Sequence, residues 1–465
     1  MSGQNLTQGS IPKQLWSLAW PMMLSMFFNS LYNLVDAIWV AKISASAIAA
    51  VSISQIVLFA MVSLAMGVSV GTAVLVGHSI GASKKLEAER LLGQGYLLTI
   101  IAAIGFSSLV FLFRERLLGL SGAVGEIFPL ALPYFNVVTL GSILMFLMMT
   151  TSISFNAQGD NFTTTKLFAL STFVNVVLDP LLIFGYFGFP ALGITGAAYA
   201  TLISQLVFVV LSIRILMKPS MMVPLKFENL NLKLDSVKKV VDIGLPASLN
   251  QVLNPIGFSV LMSIVSGTFF EAGAAAFSIG FRIEFFAFIP AIGFGFGAMS
   301  LIGQNMGAKK MDRVKESLKR AIIYGSGSAV VFSLISFLFA PQIVAIFTKD
   351  PTVSAYSLSY FYIVPIGYAF FAMAFIEANV FQGIGRSWPG FWITFTRIGL
   401  AVAFSSIAIK VFKLGIWAVW TSIVAGSVLA SLFGLFWVVK ALDQAKPEES
   451  PDEYTLEAEE VIPQI

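Results

Sequence analysis

The chain has 465 residues, of which 57% are hydrophobic and only 11% charged, and its mean hydropathy is +0.87. This composition excludes a water-soluble globular protein and indicates a multi-pass membrane protein. The formal net charge is +4, which we attribute to loops that orient the chain and meet anionic lipid, so no nucleic-acid partner is expected.

Long apolar segments recur from residue 14 to residue 441. Each is near or above the roughly 20 residues that a helix needs to cross the hydrocarbon layer, and the alternation of a β-barrel is not seen. The predicted fold class is therefore an all-α membrane protein with twelve transmembrane helices. The predicted spans are 14–41, 46–77, 90–113, 127–152, 162–187, 193–217, 238–268, 272–303, 314–340, 352–380, 388–411 and 415–441.

The first predicted span contains the polar stretch "LYNLVDAIW". A carboxylate at the centre of a membrane helix costs roughly 2.5–3.5 kcal/mol, and such residues usually line an internal cavity. Asn29, Tyr32, Asn33 and Asp36 have helical spacing that places all four side chains on one face. We interpret this face as part of a buried site around Asp36, with the other three residues as a supporting polar network.

The fifth predicted span carries a second polar face, formed by Asn175 and Asp179. Pro180 follows directly, lacks an N–H and frees the carbonyl group of Val176 one turn earlier. Two polar stripes and an unpaired carbonyl suit a buried proton or cation site. Burial disfavours the charged form of a carboxyl group, and a second carboxylate nearby adds to that effect, so the two acids are expected to share protons as a coupled pair.

An internal repeat appears when the chain is shifted by about 225 residues. "GHSIGASKKLEAERLLGQG" then lies over "GQNMGAKKMDRVKESLKRA", Pro21 over Pro246, and the Gln158-Gly159 pair over the Gln382-Gly383 pair. Six spans per copy is an even number, so the copies are predicted to be six-helix bundles related by a pseudo-two-fold axis along the membrane normal. The predicted division is bundle 1–217, cytoplasmic linker 218–237 and bundle 238–441.

The distribution of Lys and Arg predicts the orientation. An even number of spans places both termini on one side, and the loops of that side hold 20 of the 28 basic residues. By the positive-inside rule both termini are cytoplasmic, in the cell (cytoplasmic or inner) membrane. No removable signal peptide is expected, because the polar first residues lead into a span without a cleavage site. Residues 442–465 are predicted to form an acidic, disordered cytoplasmic tail.

The second repeat contains further polar candidates. Glu284 lies two residues after Arg282 in "FRIEFF", and acids and bases within membranes often pair. Glu377 lies about two turns from the cytoplasmic end of the tenth span and is a possible secondary site. His78, the only histidine, sits at the end of the second span, where a helix-terminal hydrogen bond is favoured over a proton relay. "FNAQ" and the aromatic residues of the seventh and eighth spans are predicted to line a substrate cavity.

These motifs together resemble the multidrug and toxic compound extrusion (MATE) family. They are the early proline in "LAWPMML" and "GLPASLN", the span ends "GHSIGA" and "GQNMGA", and "NAQGDNFTTTK" after the fourth span. The resemblance covers nearly the whole chain. The acids in "YNLVDAIW" and "NVVLDPLLIF" are both in the first bundle, which is similar to the DinF-like and archaeal branch.

The resemblance also implies roles for individual residues. It implies that Asp36, Asn175, Asp179 and Thr201 bind the coupling ion, H+ or Na+, and are the metal ligands if that ion is sodium. It further implies that the first helix bends near Pro21 when Asp36 changes state. Among helix-bending positions in the sequence, Pro180 is a second candidate.

One departure concerns the second bundle. The sodium-coupled branch typified by NorM has a glutamate eight residues after the seventh-span proline, and this chain has Asn254 there. The aspartate of that branch in the tenth span would fall near Phe371 or Ala372. A second-bundle cation site is therefore expected to be absent.

The leading hypothesis is a secondary active antiporter that exports organic cations and hydrophobic drugs or toxins in exchange for protons or sodium ions. No enzymatic activity and no cofactor are expected, because the chain has no cysteine, one histidine and no Walker motif. The expected partners are small hydrophobic or cationic molecules and the lipid bilayer, and the chain is expected to be a monomer.

Two alternatives stay open. A lipid-linked precursor flippase of the same superfamily would need a strongly cationic cavity, whereas only Arg282 and Arg397 fall within predicted spans. A non-transporting membrane scaffold or receptor would carry the same acids as inert groups.

Overall fold

The structure, a computed structural model, describes residues 3–444 of the chain. Within these residues the chain is almost entirely helical and contains no strand. The helices are α1 (Ile11–Ala41), α2 (Ala45–Gly81), α3 (Lys85–Leu112), α4 (Arg114–Leu120), α5 (Ile127–Ala157), α6 (Asn161–Phe184), α7 (Ile194–Leu216), α8 (Leu234–Gly307), α9 (Met311–Leu338), α10 (Ala340–Phe347), α11 (Pro351–Ile363), α12 (Tyr368–Ile384), α13 (Ser387–Lys410) and α14 (Trp417–Gln444).

The predicted fold of twelve transmembrane helices in two bundles is confirmed. Ten stretches of the described chain are long and apolar enough to span a membrane. One of them, α8, passes twice, because the backbone reverses at Phe270 (φ 54°, ψ −151°) without an intervening loop. The ten stretches therefore give eleven passes, and the twelfth is α1. This helix has 31 residues, but its polar stripe makes it less apolar than the other ten.

Three local features differ from the predicted spans. Short helices α4 and α10 follow α3 and α9, where loops were expected. The tenth span is divided into α11 and α12 by a 3₁₀ turn at Val364–Gly367, where Pro365 cannot donate to a helical hydrogen bond. The bundle boundaries stay a prediction, and the predicted tail lies outside the described residues apart from its first three, which continue α14.

The two bundles meet most closely on the side where α1 begins and α14 ends, here called the terminal side. A Cβ atom added to Gly81 would collide with the carbonyl group of Gln304, and one added to Gly307 with the carbonyl group of His78. Gly81 and Gly307 are repeat partners, as are His78 and Gln304. The same contact between a glycine and a backbone carbonyl group therefore occurs twice, once on each side of the pseudo-two-fold axis. Only glycine permits this approach at both positions.

The segment before α1 joins the two bundles on the same side. The backbone N–H of Gln4 donates to the carbonyl oxygen of Gln158 in the first bundle (3.0 Å). Leu6 is 0% exposed, and its N–H donates to Oε1 of Gln304 in the second bundle (2.9 Å). Arg313 of α9 donates to the carbonyl oxygens of Gly9 (2.8 Å) and Leu6 (3.0 Å). The segment therefore seals the terminal side.

The connection between the bundles is attached to the first one. Nζ of Lys226 lies 2.7 Å from the carboxylate of Glu89 on α3, and Glu89 is only 3% exposed. The hydrogen bond to Glu89 raises the pKa of Lys226. The amide N–H of Val223 also donates to Oε1 of Gln158 (2.9 Å). The crossover segment thus belongs structurally to the closed terminal side.

The half of α1 on the opposite side, here called the far side, is separated from the second bundle. Glycines of α8 pack against the first half of α1, with Gly293 against Met23 and Gly297 against Leu18. Beyond this region Leu34 is 58% exposed and Ile38 is 48% exposed. Asn29 and Asn33 on this half of α1 are exposed as well, and polar side chains at membrane depth face a hydrated cavity or the bundle interior. The cleft between the bundles is therefore open on the far side and closed on the terminal side.

Removal of the Arg313 side chain should loosen the closed side. A hydrogen bond to a charged group contributes about 1.5–3 kcal/mol, so Arg313→Ala should raise the population open on the terminal side roughly 10–150-fold. The chain has no cysteine, so spin labels on Lys85→Cys and Asp312→Cys can report the distance between the bundles by double electron–electron resonance. We expect a new, longer distance in Arg313→Ala.

The control for this experiment is Lys319→Ala, a change at an exposed position of the same helix. It should leave the distance distribution unchanged. An Arg313→Ala distribution identical to that of the control would contradict the sealing role of the amino-terminal segment.

Candidate functional site

A row of hydrogen bonds joins α1 to α6 and leads toward the acidic residues. Nδ2 of Asn161 donates to the carbonyl oxygen of Leu18 (2.8 Å). One turn further, the hydroxyl of Thr165 donates to the carbonyl oxygen of Pro21 (2.6 Å) and lies 2.8 Å from the hydroxyl of Ser25. Because Ser25, Asn161 and Thr165 are polar side chains buried between these two helices, the α1–α6 interface is a polar seam.

The two acids predicted from sequence lie at the far end of this seam. Asp179 and Asn175 are both 0% exposed, and Nδ2 of Asn175 donates to Oδ1 of Asp179 (3.2 Å). Asp36 is half-buried and close enough to Asp179 for an electrostatic interaction. The structure therefore brings Asp36, Asn175 and Asp179 together, with Asp36 on the more accessible side.

Three oxygen atoms of this cluster have no hydrogen-bond donor in the described chain. They are Oδ1 of Asp36, Oδ1 of Asn175 and Oδ2 of Asp179, and each is buried. An unpaired buried acceptor is costly, so such oxygens mark a place for a proton or a bound cation. Carboxylate, amide and hydroxyl oxygens are also the ligands that hard cations prefer. The donor set thus fits either coupling ion.

Thr201 enters the site through Tyr32. The hydroxyl of Tyr32 donates to Oγ1 of Thr201 on α7 (2.7 Å), and Tyr32 interacts electrostatically with both Asp36 and Asp179. This bond fixes the orientation of α1 relative to α7 beside the acids. Tyr32 therefore positions the site, and Thr201 presents its oxygen next to it.

The other polar residues of α1 lie outside the buried cluster. Asn29 and Asn33 are exposed, and Nδ2 of Asn33 donates to the carbonyl oxygen (2.8 Å) and to Oδ1 (3.2 Å) of Asn29. They form a polar surface along the open cleft. Pro21 and Pro180 both lie inside helices, α1 and α6. Their role in bending stays a prediction.

One residue of the cluster was not predicted. Tyr134 of α5 is 4% exposed and interacts electrostatically with Asp36 and Asp179. Its only sequence signal is a hydroxyl within an otherwise apolar stretch, "LPYF". That signal does not say which helix Tyr134 faces, because the contact arises from the packing of α5 against the bundle.

In the second bundle, Glu284 does not pair with Arg282. Glu284 accepts a hydrogen bond from the hydroxyl of Tyr360, while Arg282 is exposed. Arg397 of α13 is the basic group that acts electrostatically on Glu284. Residues two apart on a helix point in different directions, which explains why the neighbouring arginine is not the partner.

Arg397 contacts both Asn254 and Phe371, the positions in this chain that correspond to the second-bundle acids of the sodium-coupled branch. Its Nη2 donates to Oδ1 of Asn254 (2.7 Å), and its guanidinium carbon lies 4.2 Å from the ring centroid of Phe371. A resident cationic side chain thus stands between these two positions.

Glu377 is the most isolated acid of the described chain. It is 0% exposed, and neither of its carboxyl oxygens has a hydrogen-bond partner. It packs against Gly434 of α14, where an added Cβ atom would collide with Oε2. A charge without a partner at this position would be strongly unfavourable, so the side chain is stable there as the neutral acid.

Two further predictions concern the terminal side. Nε2 of His78 lies 2.8 Å from the carbonyl oxygen of Gly383, so the expected helix-terminal hydrogen bond is present and joins the two bundles. "FNAQ" does not line a cavity. Asn156 and Gln158 are 0% exposed, and the hydroxyl of Ser300 donates to the carbonyl oxygen of Asn156. This motif is part of the seal because the repeat places it at the bundle contact.

No group of three or more His, Cys, Asp or Glu side chains that could hold a metal ion occurs in residues 3–444. A sodium ion in the first bundle would therefore rest on two carboxylates together with amide and hydroxyl oxygens.

Comparisons with known proteins agree with this architecture. The sequence model of the MatE family matches residues 21–181 and 246–407, one match in each repeat. The FAD transporter of Shewanella oneidensis is 28% identical over 399 residues, which are 85% of this chain and 87% of that protein. The probable multidrug resistance protein NorM of Thermotoga maritima is 27% identical over 433 residues, 92% of each chain.

A solved structure shares the fold as well. The outward-facing conformation of a multidrug resistance MATE family transporter of the MOP superfamily superposes with a TM-score of 0.89 at 26% identity. The superposition covers 95% of this chain and 98% of that one. The similarity therefore extends over both bundles.

The stability of a Glu377 variant should depend on whether the new side chain is charged and not on the loss of the carboxyl group itself. Glu377→Gln has nearly the shape of the neutral acid and should leave the unfolding temperature in detergent almost unchanged. Glu377→Lys places an unpaired charge in the same pocket and should cost about 3–5 kcal/mol. Intrinsic tryptophan fluorescence during heating measures both. Equal destabilisation by the two changes would contradict a neutral Glu377.

Proposed function

The chain belongs to the MatE family of membrane transporters, and we propose that it exports organic cations and hydrophobic drugs or toxins in exchange for protons or sodium ions. Its relatives support the export of drugs and toxins as the general activity. The coupling ion and the cationic substrate class are the proposed part. The side chains that couple transport to the ion gradient are Asp36, Asn175, Asp179 and Thr201.

The observation that carries this proposal is the cluster of unpaired oxygens in the first bundle. One oxygen of each carboxyl group and the amide oxygen of Asn175 lie buried without a donor in the described chain, and the Asp36 side chain as a whole is only half-buried. A structural role would satisfy these oxygens with neighbouring donors. A group that binds and releases an ion leaves them free in one of its states.

The open far side supplies the ion in this conformation. A proton or sodium ion that reaches Asp36 neutralises the cluster and removes the need to keep its face hydrated. The polar stripe of α1 then becomes easier to bury against α6 and α7, and α1 can bend near Pro21, where the chain lacks an N–H. Closure of this face would displace substrate toward the far side. One charge moving down 100 mV supplies about 2.3 kcal/mol.

The terminal side is proposed to be cytoplasmic. The basic residues concentrate there, including Lys310 and Arg313 at the bundle contact, and the positive-inside rule assigns such loops to the cytoplasm. The far side is then the exterior, which is the direction in which an exporter must release its substrate.

A second candidate substrate comes from one relative. The Shewanella protein is a FAD transporter and is similar over 85% of this chain. FAD is a flat aromatic compound with negative charge, so it tests whether this chain also accepts anions. Accumulation of FAD outside cells that express the chain, compared with cells that express an Asp36→Asn variant, measures this directly.

Neutral replacement of either acid should abolish coupled export. Asp36→Asn and Asp179→Asn keep the size of the side chain but cannot take up or release a proton. We expect at least a tenfold loss of fluorescent-cation efflux in everted vesicles energised with a pH or sodium gradient. Asp312→Asn, at an exposed acid of the terminal side, is the matched control and should be fully active. Wild-type efflux in both site variants would remove the proposal.

The coupling ion can be identified in proteoliposomes with a pH-sensitive dye inside. Proton coupling predicts that substrate uptake makes the lumen alkaline in sodium-free buffer. Sodium coupling predicts no pH change and uptake only when sodium is present. Substrate flux that ignores both ions would favour a passive pathway, and movement of lipid-linked oligosaccharide in place of the cation would favour the flippase alternative.

A further inference from the structure

A single arginine lies near the middle of the membrane in the second bundle. Arg397 is about midway along α13, which spans Ser387–Lys410. Charged side chains at this depth are rare, face the bundle interior or a hydrated cavity, and usually have a partner. None of the ion pairs between the described residues involves Arg397. Arg397 therefore has no carboxylate within salt-bridge distance among the described residues, and its hydrogen-bond partner is the neutral amide of Asn254.

Asn254, whose side chain accepts the hydrogen bond from Arg397, lies on a face of α8 that points into the second bundle. Asn254, Gly257 and Phe258 have the spacing of one helical face. On that face Gly257 packs against Ile398 of α13, and the ring of Phe258 lies 4.3 Å from that of Phe281 on the returning half of α8. Asn254 is nonetheless exposed. Its side chain therefore borders an accessible crevice between α8 and α13, inside the bundle.

The crevice contains the groups that usually surround a bound cation. Besides the amide oxygen of Asn254 and the ring of Phe371, Glu284 acts on Arg397 electrostatically. The hydroxyl of Tyr360 donates to Glu284. The hydroxyl of Tyr368 is buried without a partner and also interacts electrostatically with Glu284. A carboxyl group, neutral oxygens and an aromatic face together attract positive charge.

We propose that Arg397 is a tethered cation that permanently occupies a cation site in the second bundle. A guanidinium group stays charged under all physiological conditions and cannot leave, so it satisfies the crevice without taking part in ion exchange. Arg397 thereby restricts ion coupling to the first bundle. This restriction rests on the proposed antiport function, whereas the occupation of the crevice does not.

The proposal makes Arg397 the residue that decides whether the second bundle binds a mobile cation. Without the guanidinium, Glu284, Asn254 and the two phenols remain around a space whose lining attracts a cation. An alkali metal ion can enter such a space, because oxygen ligands and an aromatic face are already in place. Arg397→Ala should therefore create a sodium or rubidium site where the natural chain has none.

The experiment measures binding without transport. The starting protein carries Asp36→Asn and Asp179→Asn, so that the first bundle cannot respond to sodium. Thermal unfolding of the purified full chain is followed in NaCl, RbCl and choline chloride at equal ionic strength. The starting protein should unfold at the same temperature in all three salts. Addition of Arg397→Ala should give stabilisation by about 2 °C or more in NaCl or RbCl relative to choline chloride, because a ligand that binds only the folded state stabilises it.

Two further variants separate this effect from general loosening. Arg397→Lys keeps a tethered charge and should show no response to sodium or rubidium. Arg397→Ala combined with Glu284→Gln removes the carboxyl group and should lose the response. If Arg397→Ala does not give a monodisperse protein, Arg397→Gln serves in its place, since its amide can still bond Asn254 without carrying charge.

Three results would overturn the proposal. The first is that Arg397→Ala, or Arg397→Gln in its place, shows no stabilisation by NaCl or RbCl relative to choline chloride. The second is that this stabilisation persists after Glu284→Gln is added. The third is that Arg397→Lys is stabilised by these salts as much as Arg397→Ala. None of them bears on the first-bundle acids, which are already neutralised in every protein compared. Failure of the antiport proposal would appear instead in the efflux of the Asp36 and Asp179 single variants.

Discussion

The cost of a carboxyl group inside a membrane is the constraint on which the first bundle depends. Asp36 and Asp179 can be tolerated at this depth only if each is neutral, bound to a cation or in contact with water. The structure meets the constraint in part. Asn175 donates to one oxygen of Asp179, and the open cleft reaches Asp36, while other oxygens are left without donors. The cluster is therefore not complete without a proton or an ion, which makes it sensitive to the gradient.

The rest of the bundle holds this incomplete cluster in place. The polar seam between α1 and α6 fixes the helices below the acids, and the bond from Tyr32 to Thr201 fixes α1 against α7 beside them. On the terminal side, glycines at equivalent repeat positions let the bundles touch through their backbones. Because the bundles are held at one end only, a change in the packing of α1 can alter the cleft without breaking either bundle.

The sequence is sufficient to predict the helices and the pairing of the acids, and it is insufficient for contacts between helices. Apolar length predicts the spans, and helical spacing shows that Asp36 and Asp179 lie on polar faces. The same spacing cannot show that Tyr134 faces those acids or that Arg397 reaches Asn254, because both contacts join residues far apart in the chain. The cavity prediction for "FNAQ" is wrong for a similar reason, since its amides indicate burial of polar groups but not the surface that covers them.

We infer that Asp36 and Asp179 change protonation or ion occupancy as substrate binds and leaves. Infrared difference spectroscopy resolves the carbonyl band of protonated carboxyl groups, and Asp36→Asn and Asp179→Asn assign the contributions of the two acids. We expect substrate or sodium to change this band in the natural protein and each variant to lose part of the change. A band that stays constant with substrate, sodium and pH in the natural protein would rule out ion coupling through these residues, because both acids would then be fixed in one state throughout the cycle.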